Sequence, residues 1–419
     1  MTPTQPYHVQ ALVDNAESFA FHRSVSATWN EKWKKLAHLG LYPFSDGKGE
    51  DFDRVFDSLI KNSGDDAAVF FDPDEYAKPF FPIAEDLVSQ ARDAEKAGDI
   101  DKAREMFLRA GAVYRIARFP INRGRLGQKA WELGKEAYLA ASPYLSPPNC
   151  EVKIPHRHAA SEAGESSEAV IGACVQIPEG DKPAAGWPIV LFICGLDAYR
   201  TDHSSQAGGK LYSHHHYGQA LVIVDIPGTA DSPAARNDLK SPDRLWSSVL
   251  EWIDENKDKY GFDTSRIIAR GISTGGYYAM RIAHTHADRL LAVVAQGGAS
   301  HHVFDSQWIR SQNHMEYPFA LSDALAYKFG YKNTEDYING NSRARFSLLE
   351  NGIFDTKCTR LLLINGMEDS TFPIEDSFLA LRHGRIKEAS FVDGTGHMGA
   401  PAAEGIIRDW VLDALNQTK

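Results

Sequence analysis

The stretch RIIARGISTGGYYAMRIA, residues 266–283, constrains the fold of this chain more than any other. An apolar, β-branched run ends at Gly271, a serine follows two residues later and helical spacing resumes at once. A strand must therefore stop, turn through Ser273 and feed directly into a helix. Gly271 and Gly275, two positions either side of the serine, remove Cβ atoms where strand and helix pass most closely. A serine at such an apex stands above the strand end, facing the first amides and the positive dipole end of the helix. Ser273 is then either a nucleophile or a simple cap of that helix, and the six residues GISTGG alone do not separate the two.

A serine hydroxyl is a feeble nucleophile at neutral pH. It needs a histidine base that is itself oriented by a carboxylate, in the chain order serine, acid, histidine. Two later strand ends provide candidates. RLLLING runs into MEDSTFP, which places Asp369 just past a strand, and EASFVDG runs into TGHMG, which places His397 in a loop between two glycines. Glu368 and Asp393 compete with Asp369; Asp369 is preferred because it stands one step further out and a proline fixes the turn behind it. Asp376 reads as a surface residue of the next helix. A developing oxyanion would need backbone donors: Thr274 after the serine, and Gly195 or Leu196 in the loop CGLDAYRTD that follows PIVLFIC. Asp197 and Tyr199, in the same loop, either pin it or touch a substrate.

From Cys150 onward, eight short runs alternate with helical stretches: EVKIPH, AVIGACVQIP, PIVLFIC, ALVIVDI, RIIARG, LLAVVAQ, RLLLING and EASFVDG. That alternation produces a mainly parallel sheet with helices on both faces. Before it the chain reads as helical, with Phe52, Val55, Phe56 and Leu59 on one helical face and Met106, Phe107, Ala110 and Tyr114 on another. FPIAEDLVSQARDAEKAGDID predicts a helix closed at Gly98, with Asp99 or Asp101 opening the next. Ser241–Pro242 reads as a cap and first-turn pair. The prolines of ASPYLSPPNC mark a boundary, giving a helical segment at 1–146 and a sheet-bearing segment at 147–419. About 299–350, aromatic and charged without a clear strand, reads as an inserted lid. Its neighbourhood offers His301, His302, Trp308, His314, Glu316, Tyr317 and Phe319 as pocket-lining candidates, with plain packing of lid on core as the other explanation.

Charge and composition exclude several classes. A net charge of −11 over 419 residues, with no local basic cluster, argues against a nucleic-acid surface. No apolar run nears the roughly 18 residues of a membrane span, and MTPTQPYHVQALVDN lacks a signal-peptide pattern, so a soluble cytoplasmic protein is expected. The four cysteines are scattered without a C-x-x-C pair, so reduced thiols are the default. His214–His216 and His301–His302 suggest a metal, but adjacent histidines diverge and no carboxylate recurs at i+4, so none is expected.

The motifs LYPFSDG, VYRIARFP, CGLDAYRTD, DIPGTADSP, SPDRLWSSVL, GISTGGYYAMRIAHTHADRLL, EYPF, LLLINGMEDSTFPIED and GHMG, spread over nearly the whole chain, carry a resemblance. The sequence resembles the fungal yellowish-green-type hydrolases of pigment and melanin pathways, which shorten a polyketide, and more distantly the pseudooxynicotine-type carbon–carbon hydrolases. The resemblance implies an α/β-hydrolase fold with an eight-stranded, mainly parallel sheet, an N-terminal helical cap domain and an inserted lid. It implies a triad of Ser273, Asp369 and His397, no cofactor, a small polyketide-like substrate and a homodimer. The segments CGLDAY and QGGASHH depart from the pattern of the pigment enzymes, leaving ester or lactone hydrolysis, or cyclisation, as alternatives to carbon–carbon cleavage.

Overall fold

The computed structural model describes residues 7–203 and 214–417. All eight runs read from the sequence form strands of one sheet: β1 (Asn149–Pro155), β2 (Val170–Gln176), β3 (Trp187–Ile193), β4 (Ala220–Val224), β5 (Phe262–Ile272), β6 (Ala292–Gln296), β7 (Arg360–Gly366) and β8 (Glu388–Val392). Their order is β1-β2-β4-β3-β5-β6-β7-β8. β2 runs antiparallel to both its neighbours, while β4, β3, β5, β6, β7 and β8 are mutually parallel. Helices cover both faces of the parallel part, which is why β3, β4 and β6 are buried at every position and read as unbroken apolar runs. Six parallel strands send their carboxyl ends to the same edge, where Ser273, Asp369, His397 and the CGLD loop all lie.

The N-terminal helices enclose a second core. Gly49–Ser63 buries Phe52, Val55, Phe56 and Leu59, the four residues its spacing picks out. Phe80–Lys96 and Ile100–Ala117 turn back on each other at Gly98, whose φ of 77° suits a residue without Cβ. Asp99 caps the second helix by accepting the N–H of Lys102 at 3.2 Å. Gly124–Ala141 follows. Inside, Trp29 stacks on Phe56 at 4.4 Å, and Trp33 meets Phe44 edge-on at 5.3 Å. One ring comes from far along the chain. Phe319, between β6 and β7, is 2% exposed, stacks on Phe70 at 4.2 Å and meets Trp33 and Tyr76 edge-on.

The chain between β6 and β7 forms short helices, among them Ser306–Ser311, Leu321–Lys328, Thr334–Asn339 and Ser342–Phe346. Two local expectations are corrected. Ser241 does not cap its helix: Lys240 holds that position, and Ser241 is fully buried as the first helical residue, its hydroxyl without a partner among the described residues. Asp376 is not at the surface. It is fully buried, and its carboxylate accepts the N–H groups of Ser300 (2.8 Å), His301 (3.0 Å), His302 (2.6 Å) and Val303 (3.3 Å). The chain leaving β6 turns so sharply that its amides have no strand partner, and a buried carboxylate satisfies them. Among the described residues no helix is long and apolar enough to cross a membrane.

Candidate active site

Ser273 sits at φ 52°, ψ −125°, in a backbone region that costs a non-glycine residue about 1–3 kcal/mol. Its surroundings hold it there: its N–H donates to the Gln296 carbonyl and its own carbonyl accepts from the Gly276 N–H, both at 2.8 Å. A Cβ on Gly275 would lie 2.4 Å from the carbonyl oxygens of both Ile193 and Cys194, so only glycine lets the helix Thr274–Thr285 cross the end of β3.

The His397 Nε2 lies 2.8 Å from Ser273 Oγ, and its Nδ1 lies 2.8 Å from Asp369 Oδ2. Because a carboxylate faces Nδ1, the ring proton is assigned to Nδ1, leaving Nε2 to accept the serine hydroxyl. Asp369 is fully buried, and its Oδ1 accepts the N–H groups of Thr371 (2.8 Å) and Phe372 (2.9 Å). The rival carboxylates lie elsewhere: Glu368 is half-exposed beside His8, and Asp393 is exposed beyond β8. Burial lowers the proton affinity of His397, but the charge and hydrogen bond of Asp369, joined by the charges of Glu316 and Asp197, outweigh it and raise the imidazole above its ordinary value.

Residues that sequence reasoning did not assign to this relay surround it and hold its loops in place. Asn365, at the end of β7, donates to Asp369 Oδ2 at 2.7 Å, and its own oxygen accepts the Gly366 and Met398 N–H groups at 2.9 Å. The signal in the sequence was a lone amide in the apolar run RLLLING, since a buried polar side chain must find partners. Arg270 and Gln296 both bond Glu404 in the last helix, and Gln296 also reaches the Met398 carbonyl at 3.2 Å. Glu316, expected as a substrate contact, is turned inward instead. Its Oε1 accepts the N–H groups of Ser370 (3.0 Å), Thr371 (3.2 Å) and His397 (3.1 Å), so it ties the Asp369 loop to the His397 loop. Burial and the nearby charge of Asp369 raise its own proton affinity.

Gly195 leaves β3 beside the serine: a Cβ built on it would lie 3.5 Å from Ser273 Cβ. Among the described residues none accepts a hydrogen bond from the backbone N–H of Gly195, Leu196 or Thr274, the three donors the sequence singles out. Asp197 accepts the Tyr317 hydroxyl at 2.7 Å, and the Tyr317 ring stacks on Phe119. The remaining pocket candidates have the following surroundings in the fold. Tyr199 is fully buried with its hydroxyl on Asn122. Trp308 is fully buried, edge-on to Tyr7 at 4.9 Å. His301 bonds Ser347 Oγ at 2.7 Å, and burial lowers its pKa to about 4, while His302 pairs with Asp305 at 3.0 Å. Phe319 is in the helical core, and His314 is exposed. His214 bonds Gln219; the side chains of His215 and His216 lie outside the described residues.

The parallel sheet with its covering helices and the serine at the β5 turn define this protein as an α/β-hydrolase. It belongs to the Esterase FrsA-like family, whose model matches residues 82–391. Esterase FrsA of Escherichia fergusonii is 27% identical over 298 residues, 68% of this chain and 64% of that relative, so the chain spans just under two thirds of its length. Esterase FrsA of Salmonella paratyphi B is 26% identical over 335 residues, 77% of this chain and 72% of the relative. Among solved structures, 2,6-dihydroxy-pseudo-oxynicotine hydrolase superposes with a TM-score of 0.63 at 19% identity, covering 82% of this chain and 90% of its own. AbyA5 superposes with a TM-score of 0.56 at 20% identity, covering 80% and 87%. At such identities these two speak for the fold alone.

Proposed function

We propose that this protein is a serine-dependent hydrolase that works through an acyl-enzyme, and that its bond is a carbon–carbon bond next to a ketone in a polyketide-type metabolite. The observation that carries the serine reading is the continuous relay Ser273–His397–Asp369 at 2.8 Å per step, and the lack of any acceptor for the backbone N–H groups of Thr274, Gly195 and Leu196 among the described residues supports it. Ser273 gives its proton to His397 Nε2 as Oγ attacks the ketone carbon. The resulting alkoxide is held by the amides of Thr274 and of Gly195 or Leu196. Collapse restores the carbonyl and breaks the carbon–carbon bond; the electron pair leaves as an enolate-stabilised carbanion and takes the proton from the imidazolium. Water, deprotonated by His397, then releases the acid and regenerates the serine.

Asp369, Glu316 and Asp197 all stabilise the imidazolium, which can protonate a departing carbanion or a departing alkoxide alike, so the carbon–carbon reading rests on the sequence resemblance. A second reading, hydrolysis of a carboxylic ester or lactone, is favoured by membership of an esterase family and uses the same relay with an easier leaving group. In this proposal the N-terminal helices act as a cap over the sheet, and the chain works as a homodimer without a cofactor. The test is purified protein incubated with a naphthopyrone polyketide and, separately, with 4-nitrophenyl esters, read by mass spectrometry beside Ser273→Ala. Chain shortening that Ser273→Ala abolishes supports the leading reading. Rapid ester turnover without shortening moves the assignment to the second, and undiminished activity in Ser273→Ala removes both.

A further inference from the structure

Two of the sequence motifs, VYRIARFP and CGLDAYRTD, lie in different cores of the molecule and meet behind the candidate oxyanion loop. Arg115 and Arg118, at the end of the helix Ile100–Ala117, are 5% and 3% exposed. Arg118 Nη1 donates to the Asp197 carbonyl at 2.9 Å and Nη2 to Asp202 Oδ2 at 2.6 Å, and its guanidinium lies 3.5 Å over the Tyr199 ring. Arg115 Nε donates to Asp202 Oδ1 at 2.9 Å, and its Nη1 donates to the carbonyls of Pro43 and Ser45. Asp202 Oδ2 also accepts the Tyr199 N–H at 2.7 Å, which folds the loop back on itself. Burial alone would raise the proton affinity of Asp202; the two guanidiniums override it and hold its pKa at about 2, so the node stays charged at any working pH.

The placement matters because of what lies upstream. Gly195 has soft backbone torsions, and the Asp197 carbonyl stands only two peptide units beyond the Leu196 amide. Fixing that carbonyl, together with the turn at Asp202, fixes the direction in which the Gly195 and Leu196 N–H groups point. We propose that Arg115 and Arg118 are positioning residues that hold these amides in the pose that receives the oxyanion, so that the helical segment completes the site from behind. This inference rests on the reading of Ser273 as nucleophile. Its functional consequence is specific: losing the clamp slows formation of the tetrahedral species while leaving ground-state binding and the His397 relay intact, because neither arginine touches them.

The experiment uses the full chain and a fluorophosphonate probe, which forms a P–O bond to Ser273 Oγ, expels fluoride and passes the hydroxyl proton to His397. Labelling rate, and kcat and KM for a 4-nitrophenyl ester, are compared in the unaltered protein, Arg118→Met, Arg118→Lys and Asp202→Asn. The expected result is a fall of about 10–100-fold in labelling rate and kcat for Arg118→Met, the scale of a displaced oxyanion donor. KM should stay unchanged, with partial recovery in Arg118→Lys. The double variant Arg118→Met with Asp202→Asn should be no slower than the worse single one. Wild-type labelling by folded Arg118→Met, or a loss confined to KM, overturns the inference. Should Arg118→Met not fold, the isosteric Asp202→Asn decides by the same criteria. Labelling that survives Ser273→Ala instead sinks the nucleophile reading and this inference with it, whereas Ser273-dependent labelling indifferent to the clamp sinks the inference alone.

Discussion

The two sides of the candidate site are built differently. The His397 side is held from within the sheet: Asn365 on β7, Gln296 on β6 and Arg270 on β5 tie Asp369, Met398 and the last helix into one polar network. The β3 side, which carries Gly195 and Leu196, is held by arginines of the N-terminal helices. In the proposed mechanism proton transfer depends on the sheet together with Glu316 and Asp197, which also act on His397, whereas the receptacle for negative charge depends on contact between two cores. Substitutions at Asp369 should therefore be read first in proton transfer and those at Arg118 first in oxyanion formation.

The largest effect is expected at the junction itself. Ser273→Ala should lower kcat by on the order of 10⁴-fold or more with an unchanged melting curve. A residual rate above a hundredth of the original would mean that another group attacks. On the sheet side, Asp369→Asn should cost about 10³–10⁴-fold in kcat by favouring the wrong imidazole tautomer, with KM nearly constant. On the helical side, Phe319→Ala should cost about 3–5 kcal/mol of stability, measured by denaturant unfolding, because it empties a ring-sized space among Phe70, Trp33 and Tyr76. The molecules that remain folded should still label at Ser273; loss of the relay in them would erase the contrast between the two sides.

The smallest effect sharpens the sheet side alone. The imidazole of His397 is raised by Asp369, Glu316 and Asp197, so removing one of those negative charges lets it lose its proton at lower pH. In the proposed mechanism neutral His397 is the base, so the acid limb of kcat/KM in Glu316→Gln should move toward lower pH. A limb that stays in place would show that Glu316 is protonated in the resting protein and acts only through its hydrogen bonds.

Much of this was legible in the sequence where the cause is local. The strands announced themselves because each is a short β-branched run bounded by glycine, proline or charge, and Ser273, Asp369 and His397 stood at ends of such runs. What escaped depended on partners distant in the chain. Asp376 looks like an exposed first-turn residue until the amides of residues 300–303 turn toward it. Glu316 looks like a polar residue of a lid until it is seen bridging two loops more than 50 residues downstream. Trp308, Tyr199, His301 and His302 were candidates for the pocket because their loops start at its rim, but spacing does not say which way a side chain turns. Arg115 and Arg118 fell within an amphipathic pattern, and only the meeting of two cores gives them a carboxylate.

Phe319 has a further consequence for the order of events during synthesis. A ribosome delivers the helices up to Ala141 long before it reaches this ring, with six strands in between. The early helices therefore emerge as an arrangement with an open slot between Phe70, Tyr76 and Trp33, and they reach their final packing only when the segment beyond β6 arrives to fill it. A chain arrested before residue 319 should be more open to protease in those helices than one arrested just after it. The first part of this molecule to be made would then be among the last to become finished.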